Sequence, residues 1–200
     1  MILVKSELAV PVRLGVVTAY VTVGATDDAL WARLQQEAEK ARARGGLSEI
    51  AEHPQVAALR AAYRACGRDP QRYRGSAEAL LRRVVQAKPL YQVNSVVDTN
   101  NLISLRTGMA VGSYDADRIN GPVTFRTGTA QESYSAIGKG EFALDKLPVF
   151  ADGDGPFGSP TSDSERTMVR LDTTSIVMIL ISFAGADLTS ELETAAESLR

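Results

Sequence analysis

Residues 74–119 read RGSAEALLRRVVQAKPLYQVNSVVDTNNLISLRTGMAVGSYDADRI, and how this stretch is read decides the fold. Its first part has helical spacing: after Ser76, Leu80, Leu81, Val84 and Val85 share one face of a 3.6-residue period. Pro89 lacks the amide hydrogen that a helix interior needs, so it marks the stop. Beyond Leu90 the texture changes to short segments punctuated by Gly, Asn, Asp and Pro. A polar cluster runs from Asn94 through Asp98, Asn100 and Asn101 to Tyr114, Asp115, Asp117 and Arg118. Such side chains bond readily to nearby backbone, so the cluster reads either as turns and caps or as a binding surface.

Upstream, residues 15–23 alternate, with Val17, Ala19, Val21 and Val23 on one side and Thr18, Tyr20 and Thr22 on the other, which predicts a half-buried strand. Thr26, Asp27 and Asp28 supply cap oxygens and first-turn negative charge for a helix that turns Leu30, Leu34, Ala38 and Ala41 inward and stops at Gly45-Gly46. A second helix opens near Pro54, buries Val56, Leu59, Tyr63 and Cys66, and closes at Gly67. Downstream, strand-like runs occupy 123–127, 141–150 and 173–183. Residues 174–181, TSIVMILI, are almost continuously apolar, the mark of a central strand covered on both faces. Ser190 and Glu193 have capping-box spacing before a last helix with Leu192, Ala195, Ala196 and Leu199 inward. Helices grouped early and strands grouped late predict an α+β fold, a single compact domain over 1–200 with a mixed sheet and peripheral helices.

The chain has 200 residues, 44% of them hydrophobic, enough for one core. Its longest apolar run, 176–184, is interrupted by Ser182 and falls short of the roughly 20 residues that cross a bilayer. The start, MILVKSELAVPVRLG, lacks the basic head, long apolar middle and small-residue cleavage site of a secretory signal, so a cytoplasmic address and no membrane partner are expected. Cys66 is the only cysteine and His53 the only histidine, which leaves no internal disulfide and no ordinary zinc ligand set. No metal and no cofactor are expected. His53 at a helix boundary and Cys66 on an apolar face have simple structural readings beside the one Cys-His pairing the chain allows. There is no GxSxG elbow, and Gly153-Asp154-Gly155-Pro156-Phe157-Gly158 lacks the lysine and helix of a phosphate loop.

The formal net charge is −2, but it is unevenly spread. Between Lys40 and Lys88, eleven basic residues, among them Arg60, Arg64, Arg74, Arg82 and Arg83, face only Glu49, Glu52, Asp69 and Glu78. Such an excess fits either a phosphate-binding patch or the solvated outer faces of amphipathic helices. A second polar cluster, Gly158-Ser159-Pro160-Thr161-Ser162-Asp163-Ser164-Glu165-Arg166-Thr167, is dense in hydroxyls and carries an adjacent acid and base.

Residues 74–119 resemble the B3/B4 domain of the bacterial phenylalanyl-tRNA synthetase beta subunit. In that domain a Ser-initiated helix with paired basic residues leads to an N-x-V-V-D segment, an Asn-containing helix, a glycine-closed turn and an aromatic-Asp-x-Asp-basic-Ile ending. The matching positions are Ser76, Arg82, Arg83, Asn94, Val96, Val97, Asp98, Asn101, Gly108, Tyr114, Asp115, Asp117, Arg118 and Ile119. With Glu165-Arg166, the resemblance covers about 63–167, and the chain is similar to a freestanding form of the domain.

What the resemblance implies is an editing site that hydrolyses tyrosine mistakenly esterified to phenylalanine tRNA, with tRNA or aminoacyl-tRNA as partner. A hydrophobic pocket rejects one added hydroxyl only about a hundredfold, whereas a site that hydrogen-bonds the hydroxyl discriminates by roughly 10⁴ to 10⁵. On this basis Glu165 receives the tyrosine hydroxyl. Asn101 and Ser162 position water and ester, as the catalytic pair. Asn94, Asp98, Gly112, Tyr114, Asp115, Thr161 and Arg166 complete the substrate surroundings, and Arg74, Arg82, Arg83 and Arg118 meet tRNA phosphates. One departure stands out: Gly112 falls where the synthetase domain commonly carries a histidine. The alternatives are a noncatalytic RNA-binding module and a small-molecule or protein-interaction domain on the same scaffold.

Overall fold

The computed structural model describes residues 4–199; Met1, Ile2, Leu3 and Arg200, which the single-domain expectation includes, lie outside the described residues. At the centre is β9 (Ser175–Ser182), antiparallel to β2 (Arg13–Tyr20) on one side and β3 (Ala110–Asp115) on the other. Its continuous apolar run has a geometric reason. Val177, Ile179 and Ile181 face a second sheet, while Met178 and Leu180 pack with Ile103, Val111 and Ala195 on the helical side.

That second, mixed sheet has the order β1-β4-β7-β8, from β1 (Val4–Ser6), β4 (Val123–Thr127), β7 (Pro148–Asp152) and β8 (Gly155–Gly158). β1 runs parallel to β4 and the other pairs are antiparallel. Phe125, Phe150, Phe157 and Tyr114 fill the space between the two sheets, with the Phe125 and Phe150 rings stacked at 4.3 Å between centroids. A hairpin of β5 (Ser133–Ala136) and β6 (Gly140–Ala143) stands apart from both sheets. The predicted strand over 141–150 is therefore two strands, β6 and β7. Between them the chain turns through Lys146, which adopts a left-handed φ of 58°.

The helices lie on the periphery. α1 (Asp28–Ala43) buries Leu30, Leu34, Ala38 and Ala41, as its spacing predicts, and the Asp27 carboxylate caps it by accepting from the Leu30 amide at 2.7 Å. α2 (Leu47–Glu52) was not anticipated; it is short, and the Glu49 side chain accepts from the Gly46 amide at 2.8 Å. α3 (Pro54–Ala65) and α4 (Ser76–Val85) follow. α5 (Ser95–Thr107) is the Asn-containing helix, opened by the Asn94 side chain accepting from the Val97 amide and closed by Gly108 at φ 72°. α6 (Thr189–Ser198) turns Leu192, Ala195 and Leu199 toward the core, but it does not form the Ser190–Glu193 capping box. Asp187, accepting from the Thr189 amide and hydroxyl, takes the capping role three residues before Ser190.

No described helix is long and apolar enough to cross a membrane. Several peripheral helices around mixed and antiparallel sheets with shared cores make this the expected α+β fold.

Candidate functional site

β3 is an edge strand, and a cavity of about 340 Å³ opens beside it. α5 provides one wall through Asn94, Val97, Asn100, Asn101 and Ser104. β3 adds Val111 and Ser113, and strand alternation sends the intervening Gly112 to the other face. Ser76 and Leu80 at the start of α4 close one side, and Ile137, Asp163, Met168 and Val169 close another. The amide of Asn100 is fixed by the Ser113 hydroxyl, which donates to Oδ1 at 2.8 Å. Asn101 donates from Nδ2 to Asp98 Oδ1 at 3.3 Å. Behind this wall Asp98 is fully buried and also accepts from the Thr26 hydroxyl at 2.5 Å and the Val93 amide at 3.2 Å, so it ties α5 to the segment leading into it and to the distant segment before α1.

The loop 159–164 is held by three buried tyrosines from three elements. Tyr63 of α3 shares a 2.6 Å hydrogen bond with the Thr161 hydroxyl. Tyr134 of β5 donates to the Ser162 carbonyl at 2.6 Å, and Tyr114 of β3 donates to Asp163 Oδ1 at 2.9 Å. Burial raises the pKa of all three phenols, which keeps them neutral donors. Within the loop, Ser159 donates to the Ser162 carbonyl at 2.7 Å and accepts from the Thr161 and Ser162 amides. The Pro160 carbonyl receives the Ser76 amide at 2.7 Å, docking the loop on the start of α4.

Asp163 is the only charged side chain in the cavity wall among the described residues. Its Oδ1 accepts from Tyr114 and, at 3.3 Å, from the Ser159 amide; no described donor reaches Oδ2. Enclosure pushes the carboxyl up to about 6, against the opposing pull of those two donors and of the Lys139 charge. Gly112 and Gly158 make this arrangement possible. A Cβ at either position would run into the Tyr114 phenol, so the ring occupies the space that a side chain at 112 would need.

A separate polar feature lies on α3 and α4. Glu78, 2% exposed, accepts a bidentate fork from Arg60 at 2.6 and 2.9 Å and a third bond from Arg74 at 3.2 Å, with Arg82 at 3.7 Å. Three guanidinium groups thus surround one carboxylate, leaving a local surplus of positive charge.

The B3/4 domain family model matches residues 58–197, which is more than half of the chain and includes the stretch 63–167 on which the sequence resemblance rests. The chain belongs to the B3/4 domain family. No curated protein matches it. Among solved structures, it is similar to an N-terminal fragment of the phenylalanyl-tRNA synthetase beta subunit from Pyrococcus horikoshii, at 20% identity and a TM-score of 0.43. That similarity covers 52% of this chain and 39% of the fragment, so the chain spans less than half of the fragment's length.

Of the residues that the sequence singles out, this B3/4 domain brings Asn94 and Asn101 together in the cavity wall. Others lie elsewhere. Glu165 begins a short 3₁₀ turn (Glu165–Thr167) with its side chain exposed and outside the wall. Arg166 clamps the β7–β8 hairpin, donating to Asp152 at 2.8 and 3.1 Å and to the Gly155 and Arg118 carbonyls. Asp115 is buried, caps the turn that follows β3 and accepts from Thr173 at 2.8 Å and Arg118 at 3.3 Å. Thr161 and Ser162 belong to the tyrosine-held loop, and Tyr114 anchors that loop from the far side of β3. Arg83 donates to the Pro89 carbonyl and lies over the Tyr91 ring at 4.1 Å, apart from the Glu78 cluster.

The sequence reading did not assign Asn100, Ser113 or Asp163 to the site. Asn100 and Asp163 fall inside the two polar clusters, but nothing in the sequence says which members turn inward. His53 and Cys66 stand at opposite ends of α3, some 20 Å apart along a helix rising about 1.5 Å per residue, and form no pair.

Proposed function

We propose that this B3/4 domain binds aminoacyl-tRNA in the cytoplasm and hydrolyses the aminoacyl ester, tyrosine wrongly attached to phenylalanine tRNA being the substrate to which the sequence resemblance points. The observation that carries the reading is the cavity at the edge of β3, walled by amide and hydroxyl side chains, with Ser76 in its wall two residues from Arg74 of the basic cluster. A terminal ester in the cavity and phosphates on the arginines suit the two features, the phosphates supplying sequence-independent affinity.

An aminoacyl ester is already activated, so its hydrolysis asks mainly for a placed water and stabilised charge on the carbonyl oxygen. The water oxygen bonds to the carbonyl carbon and the bond from that carbon to the ribose oxygen breaks. One water hydrogen ends on the ribose hydroxyl, and the acid loses the other to solvent. Asn101, held by Asp98, is assigned to position water and ester. Ser162 is assigned with Asn101 to position water and ester through its side chain, since the Thr161 and Ser162 amides already donate to Ser159, and Arg74 and Arg82 enter through phosphate contact.

The test is single-turnover release of labelled tyrosine from tyrosyl-tRNA(Phe), with phenylalanyl-tRNA(Phe) and tyrosyl-tRNA(Tyr) as controls. Selective release that slows more than tenfold in Asn101→Ala, with unchanged thermal unfolding, is the expected result. Salt-sensitive binding without release would favour a second reading, a noncatalytic RNA-binding module. The basic cluster around Glu78 favours that one, because it uses no group of the cavity. Neither release nor binding would remove both.

A further inference from the structure

We infer that Asp163 is an ammonium-binding site: its unoccupied Oδ2 receives the α-ammonium of an aminoacyl group whose uncharged side chain lies against the apolar part of the cavity wall. The inference rests on the proposed aminoacyl reading and narrows it, since it assigns recognition to the amino group that every such substrate shares rather than to a side-chain hydroxyl.

The geometry is that of half a binding site. Oδ1 is held by the Tyr114 hydroxyl and the Ser159 amide, and the residue lines the cavity, so the second oxygen is the one left to meet a ligand there. Carboxylates so placed need a counter-charge, because enclosure weakens their hydration. Lys139, on the β5–β6 turn, is exposed and makes no ion pair with Asp163 among the described residues. With no cationic side chain in the wall, the counter-charge is left for the ligand to bring. A charge-assisted N–H···O bond to a primary ammonium is stronger than one from a neutral phenol. Leu80, Val97, Val111, Ile137 and Met168 provide apolar surface, and about 340 Å³ lies within the range of small-molecule sites.

The pairing has a pH signature. The Asp163 carboxyl titrates near 6, and an α-ammonium loses its proton around pH 8, so binding is strongest between the two values and falls on either side. The groups that act on Asp163 are Lys139 and the phenols of Tyr63, Tyr114 and Tyr134, all three held neutral across that window.

The experiment titrates the intact protein with phenylalaninamide, tyrosinamide and N-acetylphenylalaninamide by calorimetry from pH 5 to 9. The two free-amine amides are expected to bind within threefold of each other with a bell-shaped pH profile, and acetylation to weaken binding more than tenfold. Asp163→Asn, which keeps an acceptor for Tyr114, is expected to lose the same tenfold. Tyr114→Phe is expected to retain the preference for the free amine, with the acidic limb of the profile moved upward because a bond that favours the ionised carboxyl is gone. Equal binding of the acetylated amide, an unchanged Asp163→Asn, or no binding by either free amine would overturn the assignment. Deacylation of tyrosyl-tRNA(Phe) is measured separately: ammonium binding without deacylation would sink the hydrolase reading alone, and deacylation without amine preference would sink this one.

Discussion

Tyr114 shows how much of the site depends on two residues with no side chain. Its ring passes over Gly112 and Gly158, and only from there does its hydroxyl reach Asp163. Gly112 has no need of a special backbone conformation; its role is space. Gly112→Ala forces a Cβ into a ring already enclosed by Phe150 and Phe157, and overpacking of this kind costs about 1–3 kcal/mol. Chemical denaturation should show that loss, and adding Tyr114→Phe should recover part of it, because the phenolic oxygen is among the atoms displaced. Strict additivity of the two substitutions would count against this account. At this scale the sequence was half legible. It marked 158–167 as a polar cluster, but which of Asp163 and Glu165 lines the cavity depends on tyrosines 29 to 100 residues away along the chain and on the 3₁₀ turn that leaves Glu165 exposed.

Elements carried by strong local periodicity were readable: α1, α3 and α4 begin and end close to where their caps, Pro54 and Gly67 place them, and β9 is the central strand its apolar run predicts. Elements set by tertiary partners were not. The left-handed Lys146 that splits 141–150 carries no glycine to announce it, and Asp187 rather than the Ser190–Glu193 spacing caps α6. The α3–α4 pair adds a relation that neither helix shows alone. Arg82 lies one turn beyond Glu78 on α4 and Arg74 just before the helix begins, each four residues from Glu78, but Arg60, which makes the bidentate fork, comes from the other helix. Glu78→Gln removes the charge and leaves three guanidinium groups around a neutral amide. Since the arginines remain partly exposed, a loss of about 1–3 kcal/mol in urea unfolding is expected, below that of a fully buried pair. A change under 0.5 kcal/mol would show that the fork is dispensable for holding α3 to α4.

For the whole molecule, the charge distribution sets what an RNA would feel as it approached. A formal charge of −2 gives no long-range attraction, so binding must come from a local cluster sensed within about one Debye length, roughly 8 Å at physiological ionic strength. Arg60, Arg74 and Arg82 form such a cluster, with Glu78 cancelling one of their charges. Each phosphate neutralised contributes about −0.7 to the slope of log K against log salt for single-stranded nucleic acid and about −0.9 for duplex. Two or three contacts therefore predict a shallow slope between about −1.5 and −3, unlike the steep dependence of a strongly basic protein. Arg74→Ala with Arg82→Ala should flatten that slope by between one and two and weaken binding alike for charged and uncharged tRNA, because phosphate contacts do not read the esterified amino acid. Asn101→Ala should leave the slope unchanged. A slope unaltered by the double arginine substitution would place the RNA on another face of the domain and separate the cavity from the cluster.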